Sequence, residues 1–264
     1  MIITYLRLLS VSWQNGLVYR VNLLLWRARQ ILSTVMALAV WNAVYLNTSN
    51  FSGYDRSQML TYILVVAVLQ NIILSTVLQG LTTTIYNGQL THELLKPINI
   101  YVWFAIQDLA DKLKNLVFIL IENSILFWLI QPNLIWPSPE VWLMTGLLTM
   151  GGVSLHFLIQ LLLGALGFWS PDSWAPRFLF FMIIELVAGR FFPLNILPAS
   201  IQRLVSWTPM PYLAFVQSQA FLGKISPAEV VNHLGWLGLW MLILGLLVRK
   251  LWTAGLKNYE ATGR

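Results

Sequence analysis

"VWLMTGLLTMGGVSLHFLIQLLLGALGF", residues 141–168, runs for 28 residues without one Asp, Glu, Lys or Arg. A membrane crossing takes about 20 mainly apolar residues, and a tilted one runs longer. The stretch reads as a membrane-spanning helix, and five others read the same way: 30–47, 58–80, 115–131, 176–190 and 233–252. Only "QPNLIWPSPE" separates 115–131 from 141–168, so these two are expected to be neighbours. The 176–190 stretch is short for a full crossing. The expected fold is therefore an all-α membrane protein with six transmembrane helices.

Composition agrees. Of the 264 residues, 58% are hydrophobic and 10% charged, against roughly 25% charged in soluble domains. Thirteen Trp and nine Tyr suit the headgroup region, where amphipathic rings are favoured. The absence of cysteine removes disulfides, thiolate nucleophiles and thiolate metal sites. A net charge of +6 does not indicate nucleic acid, because the basic residues are scattered between apolar segments.

With the N-terminus in the cytoplasm, twelve of the sixteen Lys and Arg fall on the inner side, as the positive-inside rule expects. Both termini and residues 81–114 are then cytoplasmic. Asn47-Thr-Ser and Asn50-Phe-Ser on the outer side match glycosylation acceptors, a short pattern that chance also produces. The opening 20 residues are broken by Arg7, Gln14, Asn15 and Arg20 and read as part of the mature protein. Ile2, Leu6, Leu9, Trp13 and Leu17 share one helical face, so residues 1–27 are expected to form a helix lying in the membrane surface. A simple amphipathic lead-in would read alike.

Polar residues gather at 85–113, "IYNGQLTHELLKPINIYVWFAIQDLADKL". A short helix over 85–95 would turn Leu90 and Leu94 to one side and expose Gln89, His92, Glu93 and Lys96. Pro97 stops it, because proline disfavours helical geometry before it and lacks the backbone donor. A second helix restarts with Ile98, Tyr101, Val102, Ala105 and Leu109 on one face, leaving Asn99, Gln107, Asp108, Asp111 and Lys112 on others. This unit either presents a rigid knob to a soluble partner or folds back on the headgroups.

The segment resembles the first cytoplasmic loop of ABC type-2 exporter permeases, in a bacterial branch whose loop reads G-x-L-x-x-x-L-L-(K/R)-P-(I/L)-N. The matching residues are Gly88, Leu90, Leu94, Leu95, Lys96, Pro97, Ile98 and Asn99. The resemblance implies a coupling helix that docks on a separate ABC ATPase subunit, with His92 and Glu93 exposed beside it. It further implies ATP and Mg on that partner rather than on this chain, a second permease chain (identical or paralogous), and a bacterial cytoplasmic membrane location. "FFPLNILPASIQRLVSWTPMPYLAFVQSQAFLGKIS", 191–226, is similar to the outward-facing hairpin before the last span of such permeases, through Pro193, Leu194, Pro198, Pro209, Tyr212 and Gly223-Lys224.

The residues support that hairpin independently. The stretch is apolar but cut by Pro193, Pro198, Pro209 and Pro211, so no spanning length survives. Non-helical backbone at membrane depth needs protein or water to satisfy it. Two short re-entrant helices, about 199–206 and 212–222, meet that need, and a loop lying on the outer leaflet is the alternative.

The chain carries no phosphate-binding loop. Its one Gly-Lys pair, Gly223-Lys224, has Ser218 where the first glycine of G-x-x-x-x-G-K-[ST] belongs and Ile225 where the hydroxyl belongs. His92, His156 and His233 form no H-E-x-x-H, no G-x-S-x-G occurs, and Ser154 and His156 do not share a helical face. No catalytic or metal-ligating residue is assigned. A charge at the centre of a membrane helix costs about 2.5–3.5 kcal/mol, so Glu122 and Glu185 are expected to face protein or water. Each lines a path or makes an interhelical polar bond, with Arg190 in reach of Glu185. Gly146, Gly151, Gly152, Gly164, Ala165 and Gly167 thin the 141–168 helix for close approach of another. No internal repeat is visible, unlike transporters built from duplicated halves.

Three functions are compatible with these features: the permease subunit of an ATP-driven exporter, a non-transporting membrane anchor, and a gradient-driven secondary transporter using Glu122 or Glu185. Apolar walls suit a lipid, a lipid-linked glycan, a peptide or an amphiphilic drug.

Overall fold

The computed structural model describes residues 10–14, 20–130, 134–171 and 174–260. The amphipathic pattern expected over 1–27 lies mostly outside these residues; 10–14 are helical.

Helix α1, Arg20–Val44, is one uninterrupted helix, so residues 20–27 are continuous with the first apolar stretch. It starts ten residues before the expected 30, and Arg27 in these added turns finds polar partners on neighbouring elements. A small hairpin follows, β1 (Asn50–Phe51) against β2 (Tyr54–Asp55), turning through Ser52 and Gly53 at φ 49° and 82°. The Tyr45 hydroxyl donates to the Tyr54 carbonyl at 2.7 Å.

Asp55 and Gln58 form a capping box for α2, Arg56–Leu69. That helix widens into a π segment, Gln70–Leu74, before the chain turns extended at Ser75. Three short pieces follow: a 3-10 turn at Leu78–Gly80, α3 (Leu81–Tyr86) and α4 (Leu90–Leu94). Helix α5, Ile100–Ile130, continues through both the expected second loop helix and the 115–131 span. Helix α6, Pro139–Ala165, ends in a 3-10 turn at Leu166–Phe168. Helix α7 is Trp174–Val187, and at 14 residues it extends only about 21 Å. Residues 191–226 supply α8 (Ala199–Ser206), a 3-10 turn (Met210–Leu213) and α9 (Phe215–Phe221), close to the expected 199–206 and 212–222. Helix α10, Pro227–Lys257, opens on a Ser226–Glu229 capping box.

The protein is an all-α membrane protein apart from the hairpin. Among the described residues, Val21–Val44, Arg56–Leu74, Pro139–Phe168 and Pro227–Lys257 are long and apolar enough to cross a membrane. The first half of α5 carries Asp108, Asp111, Lys112 and Lys114, and α7 is short; these features separate them from the other four.

Helices α6 and α10 pack most extensively, with Gly151 at their contact, while Gly164 and Gly152 let α3 and the Met210–Leu213 turn approach α6. A Cβ on Gly151 would strike Leu237, one on Gly164 would strike Leu81, and one on Gly152 would lie 2.7 Å from the Tyr212 carbonyl. Gly146 faces open space and takes no part in this packing. The central core gathers Ile73, Leu148, Leu155, Ile184, Leu213, Val216 and Leu237. A second core at one end, here the lower end, unites Leu81, Ile85, Leu90, Phe104, Phe168 and Trp252. A third, at the upper end, joins α1, the hairpin and α2 through Leu38, Tyr54, Met59 and Tyr62. Outward-facing Leu24, Leu25, Leu32 and Met36 of α1, and Leu120, Ile121 and Trp128 of α5, leave broad apolar flanks exposed.

Candidate functional site

The segment between α2 and α5 is anchored rather than loose. Leu81, Ile85 and Leu90 point inward, 4%, 2% and 0% exposed. Gly88, with φ 74°, separates α3 from α4, so the helix expected over 85–95 is two pieces. After α4 the chain reverses at Lys96–Ile98, where Pro97 has no donor to offer and Ile98 N donates back to the Lys96 carbonyl at 2.8 Å. Asn99 starts α5, its Oδ1 accepting from Tyr101 N at 2.9 Å and Val102 N at 3.4 Å.

The face turned away from the core carries His92, Leu94, Leu95, Pro97 and Asn99. Leu95 is 78% exposed and Leu94 41%, so Leu94 does not share the buried side with Leu90 as the spacing suggested. Glu93 and Lys96 pair at 2.6 Å, with the Lys96 ammonium 3.6 Å from the Trp103 ring centroid. The result is a small apolar knob with a polar rim.

Polar residues behind the knob tie it to the helices. Lys112 donates to the Ile73 carbonyl at 2.9 Å and to the Ser75 carbonyl and pairs with Asp108 at 3.2 Å. Asp108 and Lys112 are thus buried, 2% and 3% exposed, not free on the outer faces of the loop helix. The reason is local: the π segment ends at Leu74 with carbonyls that need donors, and the Lys112 ammonium supplies them. Arg177 of α7 reaches Gln160 at 3.2 Å, Thr82 at 3.1 Å and the Leu78 carbonyl at 3.4 Å. Trp252 of α10 donates to the Leu161 carbonyl at 3.0 Å. Sequence reasoning assigned no role to Tyr259, whose hydroxyl meets the turn before α4.

The two acids expected within spans are both buried and both meet arginine. Glu122 lies 3.5 Å from Arg27, which also donates to Asn71 at 2.9 Å and to Asn115, joining α1, the π segment and α5. Glu185 pairs with Arg190, which sits near the rings of Phe181 and Phe191.

At the upper end, Pro193 and Pro198 immediately precede a 3-10 turn and α8, and Pro209 precedes the second 3-10 turn. Tyr212 is buried; its carbonyl accepts from Gln217 Nε2 at 2.5 Å, and the same amide reaches the Leu148 carbonyl at 3.2 Å. Its hydroxyl lies 3.3 Å from His233 Nδ1. Tyr212 and His233 border a cavity of about 280 Å³ with Asn195, Gln202 and Ser206.

Comparison with known proteins bears on the whole arrangement. No curated protein matches the chain. A model of the ABC-2 family transporter proteins matches residues 31–263, which takes in α2 through α10, the knob and the 191–226 segment. The chain belongs to the ABC-2 transporter family, as a multi-pass permease of ABC transporters.

Proposed function

We propose that this chain is the membrane half of an ATP-driven exporter and that α4 with its flanking turns, residues 88–99, is the surface on which a separate ABC ATPase docks. ATP and Mg belong to that partner. Two such permease chains, identical or paralogous, enclose the path between them. The lower end faces the cytoplasm with both termini, the membrane is a bacterial cytoplasmic membrane, and six crossings are made by α1, α2, the second half of α5, α6, α7 and α10. On this reading α8 and α9 are a re-entrant hairpin on the outer side, which compensates for the shortness of α7.

The observation that carries the proposal is the contrast between the two sides of α4: Leu90 is fully buried in a core shared with α6 and α10, while Leu95 is 78% exposed on the opposite side. A loop resting on headgroups needs no such anchorage. A docking element does, because force applied to its outer face must reach the spanning helices. The gradient-driven alternative is disfavoured by the pairing of Glu122 with Arg27 and of Glu185 with Arg190, which leaves neither carboxylate as an unpaired ion-coupling acid.

Glu93→Ala and Pro97→Ala test the proposal. Both variants are expected to insert and fold normally and to lose most ATP-driven transport, at least tenfold, in reconstituted vesicles. Retained transport with ordinary ATP dependence in both would overturn the docking assignment.

A further inference from the structure

Helix α4 has no side-chain cap of its own at its N-terminus, although the first amides of any helix lack intrahelical acceptors. The cap comes from the far end of the chain. The Tyr259 hydroxyl accepts from Thr91 N at 2.9 Å, the shorter of that amide's two bonds, the other running to the Gly88 carbonyl at 3.3 Å; it also lies 3.0 Å from Thr91 Oγ1 and donates to the Gly88 carbonyl at 2.5 Å. A phenol offers one donor and accepts through its oxygen, so this hydroxyl is used by three groups: it donates to the Gly88 carbonyl and meets the amide and hydroxyl of Thr91. Tyr259 stands two positions beyond the end of α10 at Lys257. Its ring packs edge-on against Phe168 at 6.2 Å, Phe168 against Trp252 at 5.4 Å, and Trp252 against Tyr101 at 5.6 Å. A Cβ on Gly255 would meet the Phe168 ring, so α10 and Phe168 are in direct contact there.

Helix α10 continues for 31 residues, about 46 Å, to the upper end. There His233 approaches the Tyr212 hydroxyl at 3.3 Å and Trp236 packs on Trp207 at 5.9 Å. Helix α10 thus runs from the Tyr259 contact with α4, just beyond its foot, to the 191–226 segment at its head.

We propose that Tyr259 is a positioning residue that fastens α4 to α10, so that displacement of the docking helix is carried along α10 to the outer segment. The source of that displacement is the partner ATPase, so the inference rests on the docking reading above; the fastening itself does not.

The test is hydrogen exchange on the permease–ATPase complex in lipid nanodiscs, comparing the native chain with Tyr259→Phe. Phenylalanine keeps the ring contact with Phe168 and removes only the hydroxyl. Loss of a hydrogen bond worth about 1 kcal/mol is expected to speed exchange at the Thr91 amide roughly fivefold, with amides around Val248 unchanged as the control for folding. Addition of Mg-ATP and vanadate is expected to change exchange around His233 and Trp236 in the native complex and not in Tyr259→Phe. Equal protection of Thr91 in the two proteins, or a nucleotide response at His233 that survives the substitution, would overturn the proposal. A native complex with no nucleotide response anywhere would overturn the docking reading and the coupling role with it, leaving a faster Thr91 amide to report the bare fastening.

Discussion

Arg27 and Glu122 show how residues that look out of place in an apolar helix are accommodated. A charge removed from water is tolerated when its partner and hydrogen-bond acceptors are already in position. Here the guanidinium meets Glu122, Asn71 and Asn115 together. Removing one partner from a buried pair generally costs about 3–5 kcal/mol. Arg27→Ala and Glu122→Ala are each expected to lower the thermal midpoint clearly in detergent, while the double variant loses less than the sum. The shortfall should be about 0.5–3 kcal/mol in a double-mutant cycle; strict additivity would remove the pair from the account. Sequence alone identified Glu122 and Glu185 as acids that must avoid lipid, and Arg190 as a partner within reach. Arg27 was missed because its partners lie 44 and more positions away, beyond any helical spacing.

At the scale of elements, the glycines of α6 divide by neighbour rather than by sequence. Gly152 sits where a methyl group would press on the Tyr212 carbonyl, whereas Gly146 faces open space. Gly152→Ala is expected to destabilise by about 1–3 kcal/mol through overpacking. Gly146→Ala should stabilise by up to about 1 kcal/mol, because alanine is the better helix former. Thermal unfolding of the two variants checks both signs, and equal effects would contradict the packing described. The existence of α6, α10 and the paired short helices α8 and α9 was legible in apolar length and proline placement. The continuity of α5 was not, because Asp108 and Lys112 suggested an exposed loop helix. Their burial depends on carbonyls of a π segment that no local pattern announces. The same limit applies to α4: Pro97 marked its end, but the left-handed Gly88 that splits it from α3 acts through backbone geometry.

Across the whole molecule there are three cores among the described residues, and both α6 and α10 contribute side chains to the central and lower ones. This arrangement anchors the knob around Leu94 and Leu95 in the lower core, and on the proposed reading that anchorage is what lets a chain without a phosphate-binding loop receive work from a partner. The all-helical, multi-pass plan was readable because apolar length is a local signal, and the 88–99 motif is the local signal on which the docking proposal rests. The tail contact through Tyr259 was not readable, since it joins residues 168 positions apart. The most direct measurement is affinity purification of the chain from its native membranes in mild detergent, with the co-purifying proteins identified and assayed for ATP hydrolysis. The account predicts recovery of a soluble protein bearing a phosphate-binding loop, lost when residues 88–99 are replaced by a flexible linker that leaves the permease folded. Recovery of no ATPase with the membrane complex intact, or undiminished recovery with the linker in place, would contradict it.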